Sequence, residues 1–271
     1  MRGTMPKAQA RIALCVLVLL TAVGCRHGSQ SLDPSSNVLG IRPLADFPGG
    51  LDVELIWSDE FDGTTLDGNK WDLIVGPRRD GFWAREDAYL NGQGHLVLRT
   101  KKDGDRFTSG AVWTRQKLLS SFGYYEIRCR LPDQEGHWPA FWLQSPTYGA
   151  KIGDLEAAGA EIDIMEYPWR DGTINHAVHW DGYGADHKTF VAKSKMNRPS
   201  GWHTFGLLWS ESVYVFYVDG REVARTTDGV SKRTEYLEVT DEIGPWAGDI
   251  KRAVLPDYFY VDYVRVFRIK K

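Results

Sequence analysis

Cysteine is scarce in this chain. Of the three present, Cys15 lies inside an N-terminal apolar run and Cys25 at its end, so only Cys129 falls in the part that reads as folded. One cysteine cannot form an internal disulfide, and the core has to hold unaided. No Cys/His set has the spacing of a zinc site. Long hydrophobic runs are also missing. The stretch Ile12 to Val23 has 12 residues, whereas a bilayer-spanning helix needs about 20. Helical periodicity is weak except for one short turn near Asp154 to Ala158, and no repeat of fixed period appears. There is no basic stripe either. Without residues 1–25, which carry three basic and no acidic side chains, 30 Lys and Arg face 36 Asp and Glu, a formal net charge of -6. That balance argues against a nucleic-acid partner.

What is present divides into three parts. Arg2, Lys7 and Arg11 precede the apolar run, the layout of a signal peptide over residues 1–24. Its end, Ala22-Val23-Gly24-Cys25, resembles the lipobox of bacterial lipoproteins, with Ala where that motif prefers Leu. Used as one, it makes Cys25 the lipidated first residue and anchors the protein to the cell envelope; cleavage nearby by an ordinary signal peptidase and secretion is the alternative. Residues 25–50, rich in Ser, Pro and Gly, read as a polar tether. Residues 51–271 read as one domain made almost wholly of strands. Gly94 to Arg99 follows the turn-like Asn91-Gly92, Tyr124 to Leu131 alternates, and Val213 to Val218 runs through Asp219-Gly220 into Glu222 to Arg225 as a hairpin. Phe259 to Ile269 closes the chain. Many of these runs are apolar or aromatic on both faces, as strands of stacked sheets are. Cys129, within Tyr125 to Leu131, reads as a packing residue.

Carboxylates concentrate in Ala160-Glu-Ile-Asp-Ile-Met-Glu-Tyr167. Glu161 and Asp163 are two apart and share a strand face. Glu166, five from Glu161, falls on the other face of a regular strand; one extra residue in a β-bulge near Ile164-Met165 brings it back. Three neighbouring carboxyls repel one another, and burial raises the cost of ionising them. The arrangement serves chemistry in which one acid holds a proton while another stays ionised, as retaining glycosidases require. A solvated acidic face on an edge strand is the rival reading.

Glu161-Ile-Asp-Ile-Met-Glu166 resembles the bulged E-x-D-x-x-E signature of glycoside hydrolase family 16, as found in laminarinases, agarases and carrageenases. The resemblance extends to Leu55 to Asp62 with Trp71-Asp72, Ser121 to Arg128, Gly136 to Trp142, Trp202 to Trp209 and Val261 to Phe267. It implies an all-β jelly-roll sandwich of two curved antiparallel sheets with an open concave cleft, and endo-hydrolysis with retained configuration. By position, Glu161 is then the nucleophile and Glu166 the acid/base. Asp163, between them, hydrogen-bonds Glu161 and keeps Glu166 protonated by its charge.

Sugar rings stack on indoles, so Trp138 and Trp142, four apart on one strand face, are expected in the cleft, with His179 near the acid/base. Trp246, Arg85 and Glu86 are further candidates for sugar contact. Core or rim packing, a carbonyl-bonded histidine and an exposed ion pair are the plainer roles for these residues. The resemblance also implies one structural calcium, held by Asp262 with backbone oxygens of Glu60 and Gly94, for which an ordinary salt bridge from Asp262 is the substitute. No cofactor is required for catalysis, and a monomer is expected. Three functions follow: hydrolysis of β-1,3 or mixed β-1,3/1,4-glucan, hydrolysis of a red-algal galactan such as agarose, porphyran or carrageenan, and non-catalytic carbohydrate binding. Retention of all three acids speaks against the last. Transglycosylation is mechanistically open.

Overall fold

A computed structural model of the chain describes residues 50–270. The signal segment, Cys25 and the tether up to residue 49 lie outside the described residues. Strands dominate, as the alternating runs predict, and they form two antiparallel-dominated sheets. The 7-stranded sheet runs, edge to edge, Lys188–Lys195, Thr173–Trp180, Glu161–Glu166, His137–Gln144, Tyr236–Ile243, Ala111–Trp113 and Asp72–Leu73. The 11-stranded sheet places Gly123–Arg130 between Trp202–Trp209 and the long C-terminal strand Asp257–Ile269, which also pairs with Leu96–Asp103 and Val53–Asp59. Among the described residues no helix is long and apolar enough to cross a membrane.

The core lies between the sheets. Phe141, Leu143, Ile162 and Val178 project from one, and Ile127, Phe205, Phe216 and Val264 from the other, all fully buried in one cluster. Each such side chain contributes roughly 1.5–3 kcal/mol on leaving water, which is what a core without disulfides must rely on. Cys129 belongs to this cluster, and burial raises its thiol well above its usual range, as a packing residue requires. The hairpin turn is as expected: Asp219 and Gly220 both have positive φ (50° and 73°), matching the right-handed strand twist. A buried polar tie crosses the sandwich. Asp241 accepts from His137 Nδ1 at 2.9 Å and from Thr100 Oγ1, on the other sheet, at 2.7 Å.

The short turn read near Asp154 is a helix, Leu155–Ala158, whose Asp154 side chain caps the Ala157 N–H at 3.0 Å. It ends at Gly159, where φ is +70° and an added Cβ would collide with Ser145. Only glycine fits there, and the chain turns directly into Ala160 and the acidic strand. Ala160 N–H in turn donates to the buried Glu235 carboxyl at 3.0 Å. Burial pushes the Glu235 carboxyl up to about 8. A carboxyl raised in the folded state stabilises fully below its unfolded value and loses that contribution as pH rises toward the folded value. Glu235→Gln, which keeps an oxygen for Ala160, should therefore flatten the decline in stability between about pH 5 and pH 8 by on the order of 3 kcal/mol; urea denaturation of both proteins across that range measures it.

Candidate active site

The strand Glu161–Glu166 lies between His137–Gln144 and Thr173–Trp180. On one side Glu161 faces His179, Asp163 faces Ala177 and Glu166 faces Asn175. Three steps along the acidic strand match two along its neighbour. On the other side the register slips between Phe141 and Trp142, opposite Met165 and Asp163. The bulge is therefore at Ile164-Met165, and both side chains are fully buried. Glu166 returns to the face of Glu161 and Asp163. A side chain from the next strand clamps the bulge: His176 Nδ1 lies 2.8 Å from the Ile164 carbonyl, and its Nε2 lies 2.8 Å from Ser194 Oγ. Burial pushes the His176 imidazole down to about 4, so the ring is neutral, with Nδ1 donating to the carbonyl and Nε2 accepting from the hydroxyl.

The three carboxyls differ in surroundings. Glu166 accepts from Trp138 Nε1 at 3.2 Å and from Asn175 Nδ2 at 2.9 Å. Burial, and after it the charge of Asp163, lifts the Glu166 carboxyl well above the ordinary range, against the pull of Asn175. It holds its proton near neutral pH. Burial also raises Asp163, followed by the charges of Glu161 and Glu242, with Arg79 opposing. Asp163 Oδ2 is 3.3 Å from His179 Nε2. Glu161 Oε2 accepts two hydrogen bonds, from Gln144 Nε2 at 3.0 Å and from the Tyr183 hydroxyl. One strand thus presents an acid whose surroundings favour its proton beside a carboxyl that receives two donors.

Two hollows, of about 330 and 540 Å³, meet at Trp138 and the three acids. The first is walled by Arg78, Arg79, Trp142 and Glu242, the second by Trp169, His179, Lys193 and Trp246. Arg78 and Arg79 both pair with Glu242. Burial pushes the nearby Glu238 carboxyl up to about 8.

The model of the glycosyl hydrolases family 16 matches residues 78–264. The chain belongs to that family. It is 30% identical to an endo-1,3-1,4-β-glycanase of Rhizobium meliloti (strain 1021), over 89% of this chain and 52% of that protein. To a β-glucanase of Rhodothermus marinus it is 30% identical, over 79% and 85%. A glucan endo-1,3-β-glucosidase of Niallia circulans is 28% identical over 80% of this chain and 38% of its own length. The chain thus spans about half or less of several relatives it matches. Among solved structures, the endo-β-1,3-glucanase of Pyrococcus furiosus superimposes with a TM-score of 0.70 at 25% identity, covering 83% of this chain and 98% of that one. The two-sheet sandwich is the jelly roll of the family.

Within this family-16 sandwich, Glu161, Asp163 and Glu166 stand together on the cleft face, as the bulge reading predicts. Trp138 and Trp142 line the cleft, but as walls: they are 3% and 8% exposed, Arg79 lies over the Trp138 ring, and Trp246 meets it edge-on at 5.2 Å. Trp246 is 40% exposed at the rim, against Trp169. His179 contacts Asp163, not Glu166; Asn175 holds that place. Arg85 and Glu86 are a correction. They sit in a turn over the other sheet, outside both hollows, because buried Asp87 beside them is tied to Arg99 at 2.8 Å and Thr108 at 2.6 Å. At the expected calcium position, Asp262 pairs with Arg128 and lies 3.9 Å from His95. A guanidinium thus neutralises the one side chain of the expected set, whose other donors are backbone oxygens.

The residues missed by sequence are Gln144, Asn175, Glu238, Glu242 and Tyr183. Strand alternation could have found four. Gln144 continues the face of Trp138 and Trp142, Asn175 lies four before His179, and Glu238 and Glu242 share a face of their strand. Tyr183 comes from a loop and has no such signal.

His176→Phe keeps a ring in place but removes the donor to the bulge. The orphaned carbonyl should cost about 1–3 kcal/mol. Misaim of Glu166 should lower kcat by roughly tenfold or more with little change in KM, since misplacement near 1 Å costs up to about a hundredfold. Denaturation and steady-state kinetics on soluble β-glucan test both.

Proposed function

We propose that this protein is a retaining endo-β-glycanase acting on β-1,3 or mixed β-1,3/1,4-glucan. The observation that carries the reading is the bulge, which joins a proton-holding Glu166 to a doubly hydrogen-bonded Glu161 on one wall of a cleft open on both sides of the acids. A cleft of that form admits an internal segment of a chain. In the first step a Glu161 oxygen attacks the anomeric carbon, the glycosidic C–O bond breaks, and Glu166 gives its proton to the departing oxygen. In the second, water gives a proton to Glu166 and its oxygen attacks the same carbon. The ester C–O bond breaks and its electron pair returns to Glu161. Asp163, beside both, contributes charge, with His179 Nε2 3.3 Å from its Oδ2. The names of the β-glucanase relatives support the glucan.

A galactan is the second reading. It is favoured by Arg79, whose side chain is 53% exposed in the cleft, and by 29% identity over 80% of the chain to a keratan-sulfate endo-1,4-β-galactosidase of Sphingobacterium multivorum. The non-catalytic reading is disfavoured by the intact acid set. We further propose an exported monomer anchored through a lipid on Cys25, on the strength of the leader pattern. The pairing of Asp262 with Arg128 supports the salt bridge in place of calcium.

Glu161→Ala should lose activity by about 10⁴-fold or more. Azide should restore turnover of an activated aryl glycoside and yield a glycosyl azide of inverted configuration. Wild-type turnover by the variant, or inverted products from the unaltered enzyme, would overturn the reading. Reducing-sugar release across glucans and galactans separates the two substrates.

A further inference from the structure

We infer that Tyr183, with Gln144, is a positioning residue that selects which oxygen of Glu161 attacks and assists that oxygen's release. The inference rests on Glu161 being the nucleophile. Both donors end on the same atom, Glu161 Oε2, and Gln144 Nε2 also lies 3.2 Å from the Tyr183 hydroxyl. Oε1 receives neither of these bonds. The attacking atom is then Oε1, and Oε2 becomes the carbonyl oxygen of the glycosyl ester.

The loop that carries Tyr183 is built to aim it. Asp181, at φ +62° and 3% exposed, accepts from Gly153 N–H at 2.7 Å and from Lys188 Nζ at 2.8 Å. Tyr148 donates to the Gly182 carbonyl at 3.1 Å, and its ring lies 4.7 Å from that of Tyr183. Tyr183 itself is 65% exposed, so its burial does not explain where it sits. Desolvation over the cleft and the adjacent Glu161 charge raise the phenol above its ordinary value, which keeps it a donor throughout the working pH range.

The consequences differ between the two steps. A hydrogen bond to Oε2 is stronger when Glu161 is a carboxylate than when it is an ester. It therefore favours breaking the ester C–O bond in the second step and lowers the drive to form it in the first.

The test uses Tyr183→Phe, which keeps the ring against Tyr148, on an aryl β-oligoglucoside with an acidic leaving phenol. The second step should slow by about 10- to 100-fold. kcat and KM should fall together, kcat/KM should stay at or above the unaltered value, and a burst of phenol should appear before steady state. Gln144→Met should act in the same direction. Unchanged kcat and KM would overturn the proposal. So would a fall in kcat/KM with no burst, which is what a merely displaced loop produces. If Glu161→Ala forms the inverted azide and Tyr183→Phe behaves in either of those ways, this proposal fails alone; if no azide adduct forms, the nucleophile assignment fails and takes this one with it.

Discussion

One hydrogen bond, from His176 Nδ1 to the carbonyl of Ile164, holds the extra residue on which the site depends. Without the bulge a strand of period two would send Glu166 into the core with Ile162 and Ile164. With it, Ile164 and Met165 both go inward, and three carboxyls share one face. A backbone irregularity of this kind is stable only where its freed polar groups find partners. The buried neutral imidazole is that partner, and Ser194 fixes its tautomer from the edge strand.

The same geometry carries a cost to stability. Asp163 and Glu166 are both raised by burial before any neighbour acts on them, and Glu235 and Glu238 are raised likewise. Buried carboxyls that prefer the proton weaken the folded state as pH rises. The apolar layer between the sheets offsets this, with aromatic and branched side chains at full burial on both sides. Proton retention by Glu166 comes mainly from its surroundings. The charge of Asp163, the task the resemblance implies for it, is the second cause. Asn175 and Trp138 orient the carboxyl and temper the shift.

Much of this is legible in the sequence because strands convert spacing into direction. Positions 138 and 142, like 161 and 163, share a face for that reason, and the five-residue gap to Glu166 announces the bulge. Legibility ends where direction depends on something other than alternation. Arg85 and Glu86 read as sugar contacts, yet the burial of Asp87 turns their segment onto the other sheet. Tyr183 reaches the nucleophile from a loop whose course is set by bonds from Asp181 to Gly153 and from Gly182 to Tyr148, on a segment distant in sequence. His176 sits on the core face of its strand, where a histidine has no obvious task until the register is known.

The protonation state of Glu166 tests the central claim most directly. Carbon-13 NMR of the glutamate side-chain carboxyl, assigned with Glu166→Gln, follows its titration in the intact enzyme. A resonance that stays in the protonated position through neutral pH is the predicted result. Titration near the ordinary glutamate value of about 4.3 would contradict it, leaving the bulge without the acid it is built to present.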